Sequence, residues 1–505
     1  MPSKLSSVEL HGLEGFLVDI EVDRRRSNPK FIIVGLPDAA VQEAKERVTS
    51  AIKNSDFDFP RGKVVVNLAP ADLRKAGPRY DLPMALGILA MMKYVSAECF
   101  KETIVIGELA LNGQVRPVNG VLSSVEFARE QGFKKIVLPK ENAMEAALIP
   151  GVKIIPVQTL REAVMHLDNR LSALDIQRPV IKDEFDIRTD MASIKGQAQA
   201  KRALEIAAAG GHNILLYGAP GAGKTMMARA LSGILPAMTL GEMLEVSKIY
   251  SVAGLLPKNQ PLITRRPFRT IHHTASAMSI VGGGNMPGPG EISLTHRGVL
   301  FMDEIAEFPR GVLEVLRQPM EDRLITVSRV RGTCTYPCQF TLVAAMNPCP
   351  CGYRNIENTK HICNCSAIDI QRYEKRLSGP LLDRIDMFIR VNPVDHIKLT
   401  AVSESESSET IRKRVNEARQ AQIRRLQKTK AECNAEMSND DVGEHCPLGP
   451  GTKQLITQAI EQWELSARSY FRVLKLARTI ADLEKTEKIR EAHIAEALQY
   501  RNKIL

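Results

Sequence analysis

Gly218-Ala-Pro-Gly-Ala-Gly-Lys-Thr225 fits the pattern G-x-x-x-x-G-K-[ST], in which a glycine-rich loop surrounds phosphate groups with its backbone N–H groups. An apolar run at 213–217 precedes the loop and predicts a strand, and residues 225–235 predict a helix. The N-terminus of such a helix adds partial positive charge where a phosphate would bind. The sequence therefore predicts a strand, a P-loop and a helix that together bind a nucleoside triphosphate.

The side chains of the loop have separate predicted roles. Lys224 is expected to reach the β- and γ-phosphates of ATP, and the Thr225 hydroxyl is expected to ligate Mg²⁺. The predicted nucleotide-binding residues of the loop are Gly218, Ala219, Pro220, Gly221, Ala222, Gly223, Lys224 and Thr225. A chance glycine-rich turn is the alternative, and the apolar run before the loop argues against it.

Two acidic residues end an apolar run further along the chain. In Gly298-Val-Leu-Phe-Met-Asp-Glu-Ile305 a buried strand would deliver Asp303 and Glu304 to the carboxyl edge of a sheet, where ligands bind in open α/β folds. Asp303 is predicted to hold Mg²⁺, directly or through water, and Glu304 to polarise the attacking water. Alone, such a run is as often a simple strand end, but beside a P-loop it favours catalysis.

The chain of 505 residues divides by pattern into four segments. Residues 1–168 alternate β-rich runs with helical stretches and predict an α/β domain, and residues 169–190 form a polar linker. Residues 191–395 contain the P-loop, and their strand–helix alternation predicts a parallel sheet. Residues 396–505 have the pattern of nearly continuous helix. The predicted fold class is α/β, with a helical C-terminal segment.

Composition and charge limit the kind of protein. The formal net charge of +10 fits a nucleic-acid partner, and it fits an ordinary basic enzyme equally well. The longest apolar run, residues 82–92, contains Pro83 and Gly87 and is too short to span a bilayer. The N-terminus lacks the apolar stretch of a signal peptide. We expect a cytoplasmic protein with no membrane segment.

Four of the nine cysteines lie close together in the chain. Cys349-Pro-Cys351 and Cys363-Asn-Cys365 form two C-x-C pairs, whose four thiolates can close a tetrahedral Zn²⁺ site over residues 349–365. The spacing within each pair is tighter than the usual C-x₂-C. The alternatives are two pairs of buried free thiols, or a site in which His361 replaces one cysteine. The remaining cysteines, expected to be isolated thiols, are Cys99, Cys334, Cys338, Cys433 and Cys446.

Nearly the whole chain resembles the magnesium-chelatase-like AAA+ proteins of the ComM/YifB type. The segments that carry the resemblance are His272-His-Thr, Val281-Gly-Gly-Gly284, Pro289-Gly-Glu-Ile-Ser293, Asn347-Pro-Cys-Pro-Cys-Gly352, Leu382-Asp-Arg-Ile-Asp386 and Ala477-Arg-Thr-Ile-Ala-Asp-Leu483. The resemblance implies a P-loop AAA+ ATPase core followed by a helical C-terminal lid at 396–505.

The same resemblance implies an activity and partners. It implies a hexamer that couples ATP hydrolysis to DNA unwinding and branch migration, in homologous recombination during natural transformation. The partners would be single-stranded or branched DNA and further copies of the chain, with ATP and DNA promoting assembly. A protein-remodelling ATPase, similar to the motor subunits of magnesium chelatase, is the alternative.

The resemblance also assigns roles around the nucleotide. Asn347 would orient the attacking water, although an asparagine at a strand end is commonly a turn former. Arg384 would reach the γ-phosphate of the neighbouring subunit and stabilise the transition state, or it is a surface arginine paired with a nearby aspartate. Arg468 matches the lid arginine that senses nucleotide in its own subunit, with Arg472 as the alternative. The residues implied to lie against the adenine are Ile194 and Gln197.

A basic β-hairpin is the candidate DNA contact. Relatives of this ATPase class carry a hairpin that projects into the pore of the ring, and residues 324–333 have the alternation and the glycine that a hairpin requires. Arg329 and Arg331 are the candidates for contact with DNA phosphates, which supply affinity without reading sequence. A solvated hairpin surface is the alternative. The glycine-rich residues 282–290 are a second candidate pore element.

Residues 1–168 resemble the Lon-type protease domain, which has a ribosomal S5 domain 2-like fold. Where that protease has its catalytic serine this chain has Arg79, and where it has its lysine this chain has Leu122. A serine–lysine dyad needs a hydroxyl and an amine, so we expect no peptidase activity. Lys75, Arg79 and the basic run 24–26 are candidates for phosphate contact, and a solvated basic face is the alternative.

Overall fold

The structure is a computed structural model that describes residues 3–171, 189–257, 260–284, 287–329, 332–355, 361–393, 405–463 and 466–501. The chain forms two compact units. Unit 1 consists of Met1–Lys182 and Met243–Thr264, and unit 2 of Asp183–Glu242 and Arg265–Leu505. The linker predicted at 169–190 lies outside the described residues except for its two ends, as does the predicted boundary at 395–396.

Unit 1 is built on a mixed seven-stranded sheet. The strands of unit 1 are β1 (Ser3–His11), β2 (Glu14–Arg25), β3 (Lys30–Val34), β4 (Lys63–Ala69), β5 (Thr103–Val105), β6 (Glu108–Leu109), β7 (Val115–Arg116), β8 (Lys135–Pro139) and β9 (Lys153–Val157). β6 and β7 form a separate two-stranded ribbon, and the other seven strands form the sheet. The order across the sheet is β3-β4-β2-β1-β5-β8-β9. β2 pairs antiparallel with β1 and β4, whereas β1–β5, β5–β8 and β8–β9 are parallel pairs.

The helices of unit 1 bury their apolar residues. They are Ala39–Asn54, Asp81–Met91, Val121–Glu130, Ala143–Ala146 and Leu160–Leu167, with 3₁₀ turns at Pro78–Tyr80, Ala97–Phe100 and Lys140–Asn142. Asp38 caps the first helix, because its carboxylate accepts a hydrogen bond from the amide of Val41 at 2.8 Å. Asp81–Met91 is almost entirely buried, as a helix that is apolar on all sides must be. None of the helices formed by the described residues combines the length and the apolar composition needed to cross a membrane.

One segment of unit 1 lies far along the chain, after the P-loop helix. Helix Leu240–Val252 begins near the boundary, and Leu244 and Leu256 pack against an apolar cluster of unit 1. Lys248 also forms a 2.5 Å ion pair with Glu126. The predicted domain 191–395 includes this segment, because nothing local in a sequence reveals which sheet an apolar helix packs on.

Unit 2 is built on a five-stranded parallel sheet. The strands of unit 2 are β10 (Ile214–Gly218), β11 (Phe268–Ile271), β12 (Gly282–Gly283), β13 (Gly288–Pro289), β14 (Val299–Met302), β15 (Leu324–Arg329), β16 (Gly332–Pro337), β17 (Thr341–Met346) and β18 (Met387–Val391). The order in the large sheet is β11-β14-β17-β10-β18, and every adjacent pair is parallel, as predicted. β12–β13 and β15–β16 are separate antiparallel hairpins.

One hydrophobic core joins this sheet to the C-terminal helices. The α-helices that lie wholly in unit 2 are Ala198–Gly210, Lys224–Leu231, Ala277–Val281, Glu291–Leu294, Arg310–Val315, Pro319–Asp322, Ala367–Glu374, Gly379–Leu382, Ser408–Arg425, Asn439–His445, Pro450–Trp463, Ala467–Leu483 and Glu491–Gln499. Ile214 and Leu216 of β10 are buried in the same cluster as Val473 and Ile480 of the C-terminal segment. The sheet and these helices therefore stabilise one another through shared burial of apolar surface.

Two basic residues that are candidates for phosphate contact are buried in unit 1. Arg79 donates to the backbone carbonyls of Val8 at 3.0 Å and Asn119 at 2.6 Å. Lys75 is fully buried, and its Nζ donates to the carbonyl of Pro70. The prediction for these two residues is therefore wrong, because their N–H groups satisfy carbonyls of the same chain instead of facing a ligand.

Replacing Arg79 with methionine is expected to destabilise unit 1, because the buried carbonyl of Val8 and the partly buried carbonyl of Asn119 would lose a charged donor. We expect the free energy of unfolding to fall by roughly 1–3 kcal/mol. Urea denaturation of the full chain, followed by circular dichroism, measures the change. Arg26→Met, at an exposed position, is the matched control and should stay within about 0.5 kcal/mol of the unmodified protein. Equal stability of the two variants would contradict a net contribution from the Arg79 hydrogen bonds.

Candidate functional site

The P-loop follows β10 at the carboxyl edge of the sheet in unit 2. Gly218 ends β10 and is paired with Val391 of β18. A Cβ atom at Gly218 would lie 2.0 Å from the Val391 carbonyl oxygen, so only glycine fits at this close approach. Helix Lys224–Leu231 starts at the end of the loop. The loop therefore connects a strand that is fixed in the sheet to the N-terminus of a helix.

The Lys224 ammonium group is held at this edge by three oxygen atoms. Its Nζ donates to the carbonyls of Gly218 at 2.7 Å and Ala219 at 2.9 Å, and to Oδ1 of Asn347 at 3.0 Å. Burial lowers the pKa of Lys224, and nearby carboxylates oppose that shift. The Lys224 ammonium group of the P-loop and the Asn347 amide at the end of β17 are therefore in direct contact.

Thr225 and Asp303 form a second contact across the same edge. The Thr225 hydroxyl donates to Oδ2 of Asp303 at 2.8 Å, although their strands β10 and β14 are separated by β17. A hydroxyl and a carboxylate in contact are the hard oxygen donors that Mg²⁺ prefers. The pair therefore fits a magnesium ion by the chemistry of its donors.

Glu304 has an exposed side chain and an unusual backbone conformation. Its φ angle of 51° lies in the left-handed region, which is uncommon for a residue other than glycine. Nδ1 of His273 lies 3.8 Å from its carboxylate, and the ring of His272 packs on that of His273 with centroids 4.2 Å apart. An exposed carboxylate in this position can polarise a water molecule.

The segment after Asn347 folds back onto the P-loop. Gly352 has a φ angle of 86°, and a Cβ atom there would lie 2.6 Å from Cδ of Pro220. The two parts of the chain can approach this closely only because Gly352 has no side chain. The beginning of the cysteine-rich segment is therefore in direct contact with the nucleotide loop.

The residues expected near the adenine lie next to β18. Nε2 of Gln197 donates to the carbonyl of Asn392 at 2.5 Å, one residue beyond the end of β18. Because Gly218 is paired with the last residue of β18, Gln197 lies at the same end of the sheet as the P-loop. Ile194 is buried in the core of unit 2.

Arg384 and Arg468 converge on one carboxylate. Nη2 of Arg384 lies 2.5 Å from Glu321, and Nη2 of Arg468 contacts the other oxygen of the same group. Arg384 therefore pairs with Glu321 rather than with an aspartate next to it. Arg472, the alternative sensor, forms a 3.2 Å ion pair with Asp386. Where the structure describes the chain, the hydrogen bonds of Arg384 and Arg468 go to groups other than those of the P-loop.

The clustered cysteines bring four sulfur atoms together. They are Cys349, Cys351, Cys363 and Cys365, and all their Sγ atoms lie within 4.8 Å of one another. Cys349 lies 3.3 Å from Cys351 and 3.7 Å from Cys363, and the latter two are 3.6 Å apart. Four ligands around tetrahedral zinc are about 3.8 Å apart. The thiols therefore fit such a metal as one group, and His361 is not a member of that group.

A hairpin is present at the predicted place, but it extends over 324–337 instead of 324–333, and it contacts the glycine-rich insert. β15 and β16 form the hairpin, and β12 and β13 form the insert. Nη2 of Arg329 donates to the carbonyl of Gly282 at 3.1 Å, and the Tyr336 hydroxyl donates to that of Pro287 at 2.8 Å. Arg329 is exposed, whereas Arg331 lies outside the described residues.

The sequence alone assigns no role to His273 or Glu321. A signal exists for His273, because His272-His-Thr is one of the segments that carry the family resemblance, and in the structure it directly follows β11 at the carboxyl edge of the sheet. Glu321 has no comparable signal. Its position beside two arginines depends on how distant segments pack.

Three family models match the chain in sequence. The model for magnesium chelatase subunit ChlI matches residues 190–399, the model for subunit ChlI of Mg-chelatase matches 20–142, and the ChlI C-terminal model matches 405–501. A shorter similarity links the chain to Lon protease 2 of Bacillus subtilis, which is 32% identical over 152 residues, 29% of this chain and 24% of that protein.

Other relatives match over nearly their full length. The Escherichia coli protein YifB is 41% identical over 485 residues, which is 96% of this chain and 94% of that protein. The competence protein ComM of Haemophilus influenzae is 41% identical over 496 residues, 97% of this chain and 95% of that protein.

A parallel sheet with a P-loop after one strand, an acidic pair after another and an asparagine between them defines an AAA+-type P-loop protein. Within this class, the similarity to YifB and ComM over nearly their full length identifies the family. The chain belongs to the ComM/YifB family of magnesium-chelatase-like proteins.

Gly352→Ala is expected to weaken nucleotide binding, because the added methyl group would overlap the Pro220 ring at a backbone angle that alanine disfavours. Strain of this kind predicts roughly tenfold weaker binding of a fluorescent ATP analogue, measured by anisotropy. Gly311→Ala is the matched control, because an added methyl there meets nothing within 4 Å. An unchanged affinity in the Gly352 variant would contradict a role for this contact in positioning the P-loop.

Proposed function

We propose that this protein is an ATP-driven DNA motor, a helicase and branch-migration ATPase that acts as a hexamer. The observation that carries the proposal is the pair of contacts Lys224–Asn347 and Thr225–Asp303 at one sheet edge. They bring together the cation, the amide and the oxygen donors that phosphoryl transfer from ATP requires. The DNA part is supported by the near-full-length similarity to a competence protein, from which we propose a role in recombination during natural transformation.

The proposed reaction uses each residue of the site for one task. Lys224 and the P-loop amides bind the β- and γ-phosphates. Thr225 and Asp303 hold Mg²⁺, which neutralises phosphate charge when it is bound. Glu304 polarises the attacking water, and Asn347 orients it against the γ-phosphate.

Assembly into a ring would complete the site. Arg384 is proposed to contact the γ-phosphate held by the neighbouring copy, where a guanidinium stabilises the charge of the transition state. Because Arg384 and Arg468 share Glu321, we propose that they act on the same nucleotide. This proposal moves the role of Arg468 from the nucleotide of its own subunit to that of its neighbour. The C-terminal helices at 396–505 remain the proposed lid.

The hairpin of β15 and β16 is proposed to contact DNA. Arg329 is exposed, and its guanidinium donates a hydrogen bond to Gly282 of the insert. A phosphate contact at Arg329 would therefore affect both the β15–β16 hairpin and the β12–β13 insert. Arg331 is proposed as a second phosphate contact. Unit 1 is proposed to be non-proteolytic, since Arg79 and Leu122 occupy the positions of the dyad in Lon-type proteases.

A protein-remodelling ATPase is the second candidate function. It is favoured by the matches to models of a magnesium chelatase subunit over most of the chain. The two candidates differ in what accelerates ATP hydrolysis, because a DNA motor responds to DNA and a remodelling enzyme to a protein partner.

The full-length protein is expected to hydrolyse ATP faster with branched DNA than without it, and to migrate a labelled four-way junction in an ATP-dependent way. Lys224→Ala removes the ammonium group that binds phosphate, and we expect hydrolysis to fall by roughly a hundredfold, with loss of junction migration. Phosphate release and gel electrophoresis of the junction measure the two activities.

Glu304→Gln is the matched variant for this experiment. It should retain ATP binding and lose hydrolysis, because the amide keeps the shape of the side chain but cannot polarise water. If DNA leaves the rate unchanged while a protein partner raises it, the remodelling function replaces the DNA motor.

A structural zinc ion is proposed at the four-cysteine group. Four thiolates fill a tetrahedral site, so no position remains for a substrate and the ion would be structural. Because Gly352 lies against Pro220, we propose that the zinc ion stabilises the segment that packs on the P-loop.

The purified protein is expected to contain one zinc ion per chain by elemental analysis. The double variant Cys351→Ser, Cys365→Ser should lose it, because a hydroxyl is a poor zinc ligand. Cys433→Ser, at a buried thiol outside the group, is the control that should retain the metal. Folded, unmodified protein that contains no metal after purification without chelators would reject the site.

A further inference from the structure

Helix Pro319–Asp322 places one carboxylate between two arginines. Nη2 of Arg384 lies 2.5 Å from Oε2 of Glu321, and Nη2 of Arg468 contacts Oε1. Each oxygen of a single carboxylate thus holds one guanidinium group. Burial works to raise the pKa of Glu321, but hydrogen bonds from Arg384 and Arg468 hold it below its ordinary value. The carboxylate is therefore charged at neutral pH and neutralises part of the charge of the pair.

The two arginines are held to different degrees. Arg384 is nearly buried, and it also donates to the carbonyls of Arg317 at 3.1 Å and Pro380 at 2.5 Å. Arg468 and Glu321 are 41% and 40% exposed. Ion pairs that are open to solvent contribute little to stability, so the contact between Glu321 and Arg468 can be exchanged for another anion at low cost.

Glu321 is directly coupled to the hairpin. It lies three residues before β15 (Leu324–Arg329), and a helix of four residues leaves no flexible linker between them. The base of the hairpin is closed by a 2.9 Å hydrogen bond from the amide of Cys338 to the carbonyl of Arg323. A displacement of Glu321 is therefore transmitted to the base of the hairpin.

We propose that Glu321 is a positioning residue that couples nucleotide contact by Arg384 and Arg468 to movement of the β15–β16 hairpin. The inference rests on the proposed function, in which these arginines contact the nucleotide of a neighbouring copy. Terminal phosphate oxygens carry more negative charge than one carboxylate and accept the same charge-assisted hydrogen bonds, so they displace Glu321 from the guanidinium groups. The displaced carboxylate is already partly exposed and is left to water. Its release frees helix Pro319–Asp322 and the hairpin that follows.

Glu321→Gln tests this coupling in the full-length protein. The amide removes the competing charge, so the arginines engage nucleotide without first displacing a carboxylate, and contact between DNA and the hairpin no longer controls them. We expect the rate of ATP hydrolysis in the absence of DNA to rise roughly twofold to fivefold. The ratio of the rates with and without DNA should fall towards one. Asp322→Asn neutralises the adjacent, exposed carboxylate of the same helix and should retain the rates and the DNA stimulation of the unmodified protein.

Amide hydrogen exchange of residues 324–329 and 332–337 gives a readout that is independent of rate. In the unmodified protein, a non-hydrolysable ATP analogue should raise exchange in the hairpin. In Glu321→Gln, exchange should already be high and should not respond to the analogue. Lack of any ATP hydrolysis by the unmodified protein would overturn the proposed function and this inference with it. DNA-stimulated hydrolysis with a Glu321→Gln variant that matches Asp322→Asn in both readouts would overturn the coupling alone.

Discussion

The parallel pairing of β14, β17 and β10 is the constraint on which the whole site depends. Because these strands are adjacent and point the same way, the residues that follow them emerge at one edge of the sheet. Asp303 and Asn347 thereby come within reach of the P-loop, although the three segments are far apart in the chain. An antiparallel strand at any of these positions would carry its functional residue to the opposite edge.

The same arrangement explains how much of the fold the sequence predicts. β10 and β14 are buried on both faces, so each is an uninterrupted apolar run, and their predicted bounds agree with the structure within one residue. The pattern does not identify β11, since this strand lies at the edge of the sheet and carries Arg269, a charged residue that pairs with Glu291. The helix after the P-loop ends at Leu231, four residues earlier than predicted. An apolar pattern continues past that point, but it belongs to a turn that also packs in the core.

Some residues of the site can be predicted from local motifs, whereas the roles of others become evident only from tertiary packing. Lys224 and Asp303 lie in motifs whose spacing encodes their chemistry, so the sequence alone is enough to expect that they meet. Glu321 lies in a segment without such spacing, and only the packing of two distant helices gives it partners. Arg79 illustrates the reverse case, because its charge suggests an external anion while the structure directs it to carbonyls of its own chain. Charge alone does not tell whether a cation serves a ligand or the fold.

Residues 243–264 make both units discontinuous in the gene. The backbone leaves unit 1 near residue 182, returns at 243 and departs again at 264, so three covalent crossings link the units instead of one tether. A protease that cuts once between 169 and 190 would not release either part, since helix Leu240–Val252 stays anchored in the first unit while its chain continues into the second. Neither unit can therefore be excised as one continuous piece of the chain.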